Sequence, residues 1–271
     1  MPAIRVITGA DIPAAMRLKE AAGWNQTEQD WINLLQLAPE GCFGIDVNGT
    51  LAATTTAVCF GRELAWIGMV LTHPDHRGQG LARRLMEHAL EHLQGRVACI
   101  KLDATDMGRP LYANLGFQDE CGIERWSRPG SGPGSTLRAT AVALSRTVER
   151  LDRQAFGADR TQLLSVLAQI ESAAIEPAYA MARAGSKATY FGPCVAESSE
   201  EAVKLVDDFL AAHPAETIYW DLLPDNAEAV RIASERGFQP LRKLVRMAIS
   251  GAAPFQHDDS KIFAIAGFEY G

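Results

Sequence analysis

HPDHRGQGLARRL, residues 73–85, decides how the rest of the chain is read. Gly78 and Gly80 stand just before Leu81, Leu85, Ala89 and Leu93, which share one face of a helix. A helix start carries unpaired amides and about half a positive charge, so it holds an anion wherever the backbone can be approached closely. Glycine permits that approach, Ala82 keeps the first turn slim, and Arg77, Arg83, Arg84 and His76 add positive charge. Taken alone, Gly-x-Gly before a helix fits a tight turn and a solvated basic face equally well. It is no Walker loop, because no Gly-Lys-Ser/Thr follows. It is no dinucleotide fingerprint either, because the preceding strand belongs to an antiparallel run.

Any anion site must be local, since the 271-residue chain has a formal net charge of -7. A general nucleic-acid binder needs a basic face, so nucleic acid is not an expected partner. Hydrophobic residues make up 47% and charged residues 22%, ordinary for a folded globular protein. Cys42, Cys59, Cys99, Cys121 and Cys194 are odd in number, without a CxxC pair or histidines at metal-ligand spacing. They read as buried, reduced thiols, with no metal. The opening MPAIRVITGADIP has no basic region followed by an apolar one, and no run approaches the ~20 apolar residues of a membrane span. A cytoplasmic protein without a membrane partner is expected.

RPGSGPGST, 128–136, has linker composition and divides the chain nearly in half. Before it, the periodicities predict a strand at 4–7 and a helix over 12–22. Thr27 and Asp30 form a capping box opening a second helix. Strands follow at 42–47, 51–60 and 63–72, the first two joined by the hairpin signal Asn48-Gly49. After the glycine motif come a helix, a strand at 97–103, a short helix at 109–115 with Gly116 as its C-cap, and a strand from Phe117. This is an α/β (α+β) order, a mixed sheet covered by helices.

In that setting the motif resembles the GNAT superfamily of acetyl-CoA-dependent N-acetyltransferases. There Arg/Gln-x-x-Gly-x-Gly/Ala follows a strand, as Arg77-Gly78-Gln79-Gly80-Leu81-Ala82 follows Thr72 here. Leu111-Tyr112-Ala113-Asn114-Leu115-Gly116-Phe117, about 25 residues on, is similar to the family's second signature. The resemblance covers residues 1–127. It implies a mostly antiparallel sheet, acetyl-CoA as cosubstrate, and pyrophosphate binding by the amides of Gly78, Gln79, Gly80, Leu81, Ala82 and Arg83 beside Arg77. It also implies backbone bonds from Val70, Leu71 and Thr72 to the pantetheine arm. Tyr112 would be the catalytic acid that protonates the leaving thiolate, after direct attack by an amine. A phenol suits that role: its pKa near 10 exceeds a thiol's ~8.5, so it keeps its proton at neutral pH. Thr105 stands where many members have Asn, so that contact is not carried over. No general base is evident; Glu63, Asp103, His73 and His76 are the candidates.

The second half repeats the first. LRATAVALSRTVERLDRQAFG opens at Leu137 as IRVITGADIPAAMRLKEAAG does at Ile4, and Gly237-Phe238 matches Gly116-Phe117 with about a dozen residues lost between. In place of the glycine motif it has Ser198 and Glu201, a capping box that satisfies the amides a phosphate would need, with Glu200 adding negative charge. Ala233 stands where Tyr112 does. Residues 137–271 thus read as a degenerate GNAT-like domain without a coenzyme A site, tandem to a catalytic one. The apolar end KIFAIAGFEYG, 261–271, reads as a docked strand, with the second domain walling the acceptor pocket; Trp24 and Trp66 are candidates to contribute to it, with simple core packing the first reading for both. Acetylation of a small primary amine is the first expectation. Acetylation of a protein lysine or N-terminus, or a non-catalytic acetyl-CoA sensor, stand as alternatives.

Overall fold

In the computed structural model, residues 2–132, 144–251 and 255–271 are described; the expected strand start at Leu137 and linker residues 133–136 lie outside them. The first half runs β1 (Ile4–Val6), α1 (Ile12–Ala22), α2 (Glu28–Leu37), β2 (Cys42–Val47), β3 (Thr50–Phe60), β4 (Leu64–Thr72), α3 (Leu81–Leu93), β5 (Cys99–Ala104), α4 (Arg109–Ala113) and β6 (Gln118–Arg128). Local chemistry sets these bounds. The Thr27 hydroxyl accepts from the Asp30 amide while the Asp30 carboxylate takes the Thr27 amide, closing the capping box of α2. Asn48 and Gly49 both adopt positive φ between β2 and β3, as a two-residue hairpin turn requires.

The second half runs α5 (Arg146–Phe156), α6 (Thr161–Ala168), β7 (Ser172–Ile175), β8 (Ala178–Arg183), β9 (Thr189–Val195), α7 (Ser199–Ala212), β10 (Ile218–Leu222), α8 (Ala227–Glu235), β11 (Gln239–Ser250) and β12 (Ile262–Ala264). The order repeats from α1 onward, with β7, β8 and β9 each shorter than its counterpart. The expected loss falls there.

Twelve strands among the described residues form one mostly antiparallel sheet, in the order β1-β2-β3-β4-β5-β11-β6-β10-β9-β8-β7, with β12 on β9. The halves are joined by exchange. β11 of the second half lies between β5 and β6 of the first, and β6 lies between β11 and β10 of the second. Each half therefore receives from the other the strand it lacks, which explains why no seventh strand is visible after Trp126. Two ion pairs follow the exchange. Arg125 on β6 donates to Asp221 on β10 at 2.7 and 2.6 Å, and Arg246 on β11 donates to Asp103 on β5 at 2.9 and 3.2 Å. Arg125 and Arg246 stand equally far beyond Gly116 and Gly237, so the repeat extends to these side chains.

One core packs α3 and Tyr112 against β2–β5, and another packs α7 and α8 against β8–β10. The third is common to both halves: Leu18, Trp31 and Leu34 meet Leu151, Leu164, Tyr179 and Tyr270. Burying side chains of this size contributes about 1.5–3 kcal/mol each, so the halves stabilise one another.

The chain's end departs from expectation. Only Ile262–Ala264 is strand; the rest turns back on itself between the halves, and the Trp66 indole donates to the Phe268 carbonyl at 3.0 Å. Cys59 is also exposed and Cys121 half-buried, where burial was expected; Cys42, Cys99 and Cys194 are buried.

Candidate active site

β4 and β5 pair in parallel only where Leu64, Ala65 and Trp66 meet Cys99, Ile100 and Lys101. Beyond that they part, and a cavity of about 660 Å³ opens in the gap. A bulge faces it. Thr54 pairs with Leu71 and Thr56 with Gly68, so Met69 and Val70 together oppose the single Thr55. Met69 takes φ +48°, which costs a non-glycine residue about 1–3 kcal/mol, and the buried Thr54 hydroxyl holds its carbonyl at 2.8 Å. The bulge takes backbone groups out of the ladder at Met69 and Val70, both of which line the cavity.

At the cavity's other side α3 begins with no side-chain cap. Gly78 and Gly80 have φ +74° and +78°, and no atom lies within 4 Å of a Cβ placed on either, so the amides ahead of the helix stay open. Val70, Leu71, Thr72, Arg77, Gly78, Gly80, Leu81, Ala82 and Arg83 all line the cavity. Gln79 does not; its side chain turns back to the Asp75 carbonyl at 3.3 Å. The Arg77 guanidinium donates to the Thr72 carbonyl at 3.3 Å, and Arg84 is spent on the Pro2 carbonyl at 2.7 Å.

Tyr112 lines the cavity, 8% exposed, its ring edge-on to Phe117. Burial raises the phenol's pKa above its ordinary value, and its hydroxyl has no hydrogen-bond partner among the described residues. It can donate a proton and has no competing acceptor.

Beyond Tyr112 the walls come from both halves: Trp24 and Gln26 from the loop after α1, Asp103 and Arg125 from β5 and β6, and Arg242, Leu244, Phe268 and Glu269 from the second half. Trp24 and residues of the second half thus line the cavity, whereas Trp66 takes the other role expected of it, packing in the core. That indole is fully buried beneath the chain's end, with the Arg246 guanidinium 4.5 Å from its ring centre. Glu269, which sequence reading missed, accepts from Arg183 at 2.6 Å and Gln26 at 2.7 Å. Burial pushes its carboxyl above the usual range, against the pull of Arg183. Gly68 carried the one available signal, a glycine inside a strand. A Cβ there would stand 2.9 Å from the Glu269 Cα, so its absence lets the chain's end close over β4.

Among the base candidates, Glu63 pairs with Arg153 on the surface, and His73 accepts from the Asp75 amide. His76 and Asp103 line the cavity, Asp103 already holding Arg246.

The repeat's second gap is closed. β9 pairs with β10 over Thr189–Phe191, after which β12 takes the edge of β9 and the Ile265 amide donates to the Asp221 carbonyl of β10 at 3.0 Å. The Ser198 hydroxyl caps α7, with Glu201 completing the box.

Residues 14–117 match the acetyltransferase (GNAT) family, and residues 148–264 match an acetyltransferase (GNAT) domain. The chain is a tandem GNAT acetyltransferase. Over 212 residues, 72% of its length and 73% of the relative's, it is 27% identical to a Bacillus subtilis (strain 168) protein named Uncharacterized N-acetyltransferase YitH. Among solved structures it is similar to a putative acetyltransferase from Pyrococcus horikoshii, with TM-score 0.82 and 20% identity over 99% of this chain and 95% of that one. A GCN5-related N-acetyltransferase from Sphaerobacter thermophilus gives TM-score 0.65 and 15% identity over 94% and 98%. At such identities the likeness is one of fold, and it spans both GNAT domains. No group of His, Cys, Asp or Glu suited to a metal ion occurs among the described residues, and no helix there is long and apolar enough to cross a membrane.

Proposed function

We propose that the protein transfers the acetyl group of acetyl-CoA to the primary amine of a small molecule, at one site whose cofactor-binding and catalytic residues lie in residues 1–127, with Tyr112 as general acid. In this reading 128–136 joins the halves and 137–271 binds no coenzyme A. The observation that carries it is the uncapped start of α3, opening into the gap between parallel strands β4 and β5, which stays unfilled among the described residues.

The amides of Gly78 to Arg83, with Arg77, hold the pyrophosphate at the positive end of α3. Val70, Leu71 and Thr72 offer backbone groups to the pantetheine arm, and the bulge at Met69 and Val70 supplies an amide for the thioester oxygen. An ammonium acceptor first sheds one proton to solvent. The N–C bond then forms as the C–S bond breaks, sulfur takes the Tyr112 proton, and the phenolate is restored by the second proton the nitrogen loses. The filled gap and capped helix of the second half support a single site. The walls from Trp24, Phe268 and Arg242 support a small acceptor over a protein chain. The test is thiol release from acetyl-CoA across amines and peptides: turnover with small amines upholds the reading, and acetyl-CoA binding without turnover of any acceptor makes the protein a sensor.

A further inference from the structure

The acceptor end of the cavity is lined by charges whose pairing is incomplete. Arg125 is satisfied by Asp221 and Arg246 by Asp103. Arg183 faces two carboxylates, Asp30 at 3.0 Å and Glu269 at 2.6 Å, so that cluster holds one negative charge in excess. Arg242 lines the same cavity, half-buried, and has no hydrogen-bond or ion-pair partner among the described residues.

Its position makes this costly. Arg242 lies directly opposite Arg125 in the register of β6 and β11, and like charges facing each other across an antiparallel pair repel. Both oxygens of Asp221 are taken by Arg125. Desolvation and then the neighbouring Arg125 lower the pKa of the Arg242 guanidinium, against the weaker pull of Asp221 and Asp106, neither of which pairs with it. The cavity thus presents a surplus cation at Arg242 and a surplus anion at Glu269. Arg125 locates the cation at the acceptor end, because its guanidinium lies 4.5 Å from the ring centre of Phe268, next to Glu269.

We propose that the acceptor is an amino-acid-type zwitterion, a small primary amine that also bears a carboxylate, with the carboxylate on Arg242 and the amine toward Glu269. This rests on the acetyl-transfer reading above. Guanidinium suits the task, since its planar fork matches a carboxylate with two parallel hydrogen bonds. A lysine side chain of a protein would bring an amine to the site without a carboxylate, leaving Arg242 unpaired.

The full-length protein is assayed by thiol release with amino acids and the matching amines that lack the carboxylate, in the unaltered chain, Arg242→Gln and Arg242→Lys. Acetyl-CoA affinity is measured calorimetrically for each. The carboxylate-bearing partner should have a kcat/KM about ten- to a hundredfold higher, the range of one charge-assisted contact. Arg242→Gln should erase that preference chiefly through KM, Arg242→Lys should keep part of it, and acetyl-CoA affinity should stay the same in all three. Equal rates for matched acceptors, or a preference that survives Arg242→Gln, overturns the proposal. So does a loss of acetyl-CoA affinity in Arg242→Gln, which would place Arg242 on the cofactor. Failure of the unaltered chain to bind acetyl-CoA would instead remove the functional reading beneath it.

Discussion

Asp103 on β5 accepts two hydrogen bonds from Arg246 on β11, at 2.9 and 3.2 Å, although the residues stand far apart in sequence and belong to different GNAT domains. The Asp103 side chain is fully buried and that of Arg246 is 5% exposed. Because Asp103 also lines the cavity, through its backbone, one ion pair both fastens the exchanged strand and fixes β5 along the cavity wall.

Removing one member of such a pair leaves a buried charge uncompensated, which costs about 3–5 kcal/mol. Arg246→Met should lose about that much in chemical denaturation. The double change Arg246→Met with Asp103→Leu should lose less, since no lone charge remains. Equal losses in the single and double variants would show that the pairing itself contributes little.

Residues 1–127 alone should not give a native domain. The fragment lacks β11, so β5 and β6 would each present an unpaired edge, and Asp103 would be buried without Arg246. Expressed alone it should aggregate or lack a cooperative unfolding transition. A soluble fragment with full acceptor activity would remove the second half from the site.

Tyr112→Phe should lower kcat by about a hundred- to ten-thousandfold, the usual contribution of a positioned acid, and leave acetyl-CoA affinity unaltered. Burial raises the Tyr112 pKa, so the phenol keeps its proton throughout the neutral and mildly alkaline range. The pH–rate profile of the unaltered protein should therefore show no falling limb from this group below pH about 10. A limb at lower pH that vanishes in Tyr112→Phe would contradict the burial argument.

Much of the fold was legible because it is decided locally. The bounds of α1, the capping box of Thr27 and Asp30 and the hairpin at Asn48-Gly49 all depend on residues within a turn or two of one another. The exchange of β6 and β11 was not legible. A period of two marks a strand without naming its neighbour, and the pairing of 118–128 with 239–250 is set by the shared core. The site divides in the same way. The open start of α3 and Tyr112 follow from short motifs. The acceptor end joins Gln26, Arg125, Arg242 and Glu269 from four distant places, and the bulge at Met69 appears only when β3 and β4 are set in register.

The central claim is one acetyl-CoA site per chain, at the start of α3. Calorimetric titration of the unaltered protein and of Gly80→Glu tests it most directly. Gly80 is held at φ +78° with open space around it, so the substitution is expected to leave the fold intact while placing a carboxylate and a strained backbone where the pyrophosphate belongs. The unaltered chain should bind one equivalent and Gly80→Glu none. Two equivalents per chain, or undiminished binding by a folded Gly80→Glu, would contradict the assignment.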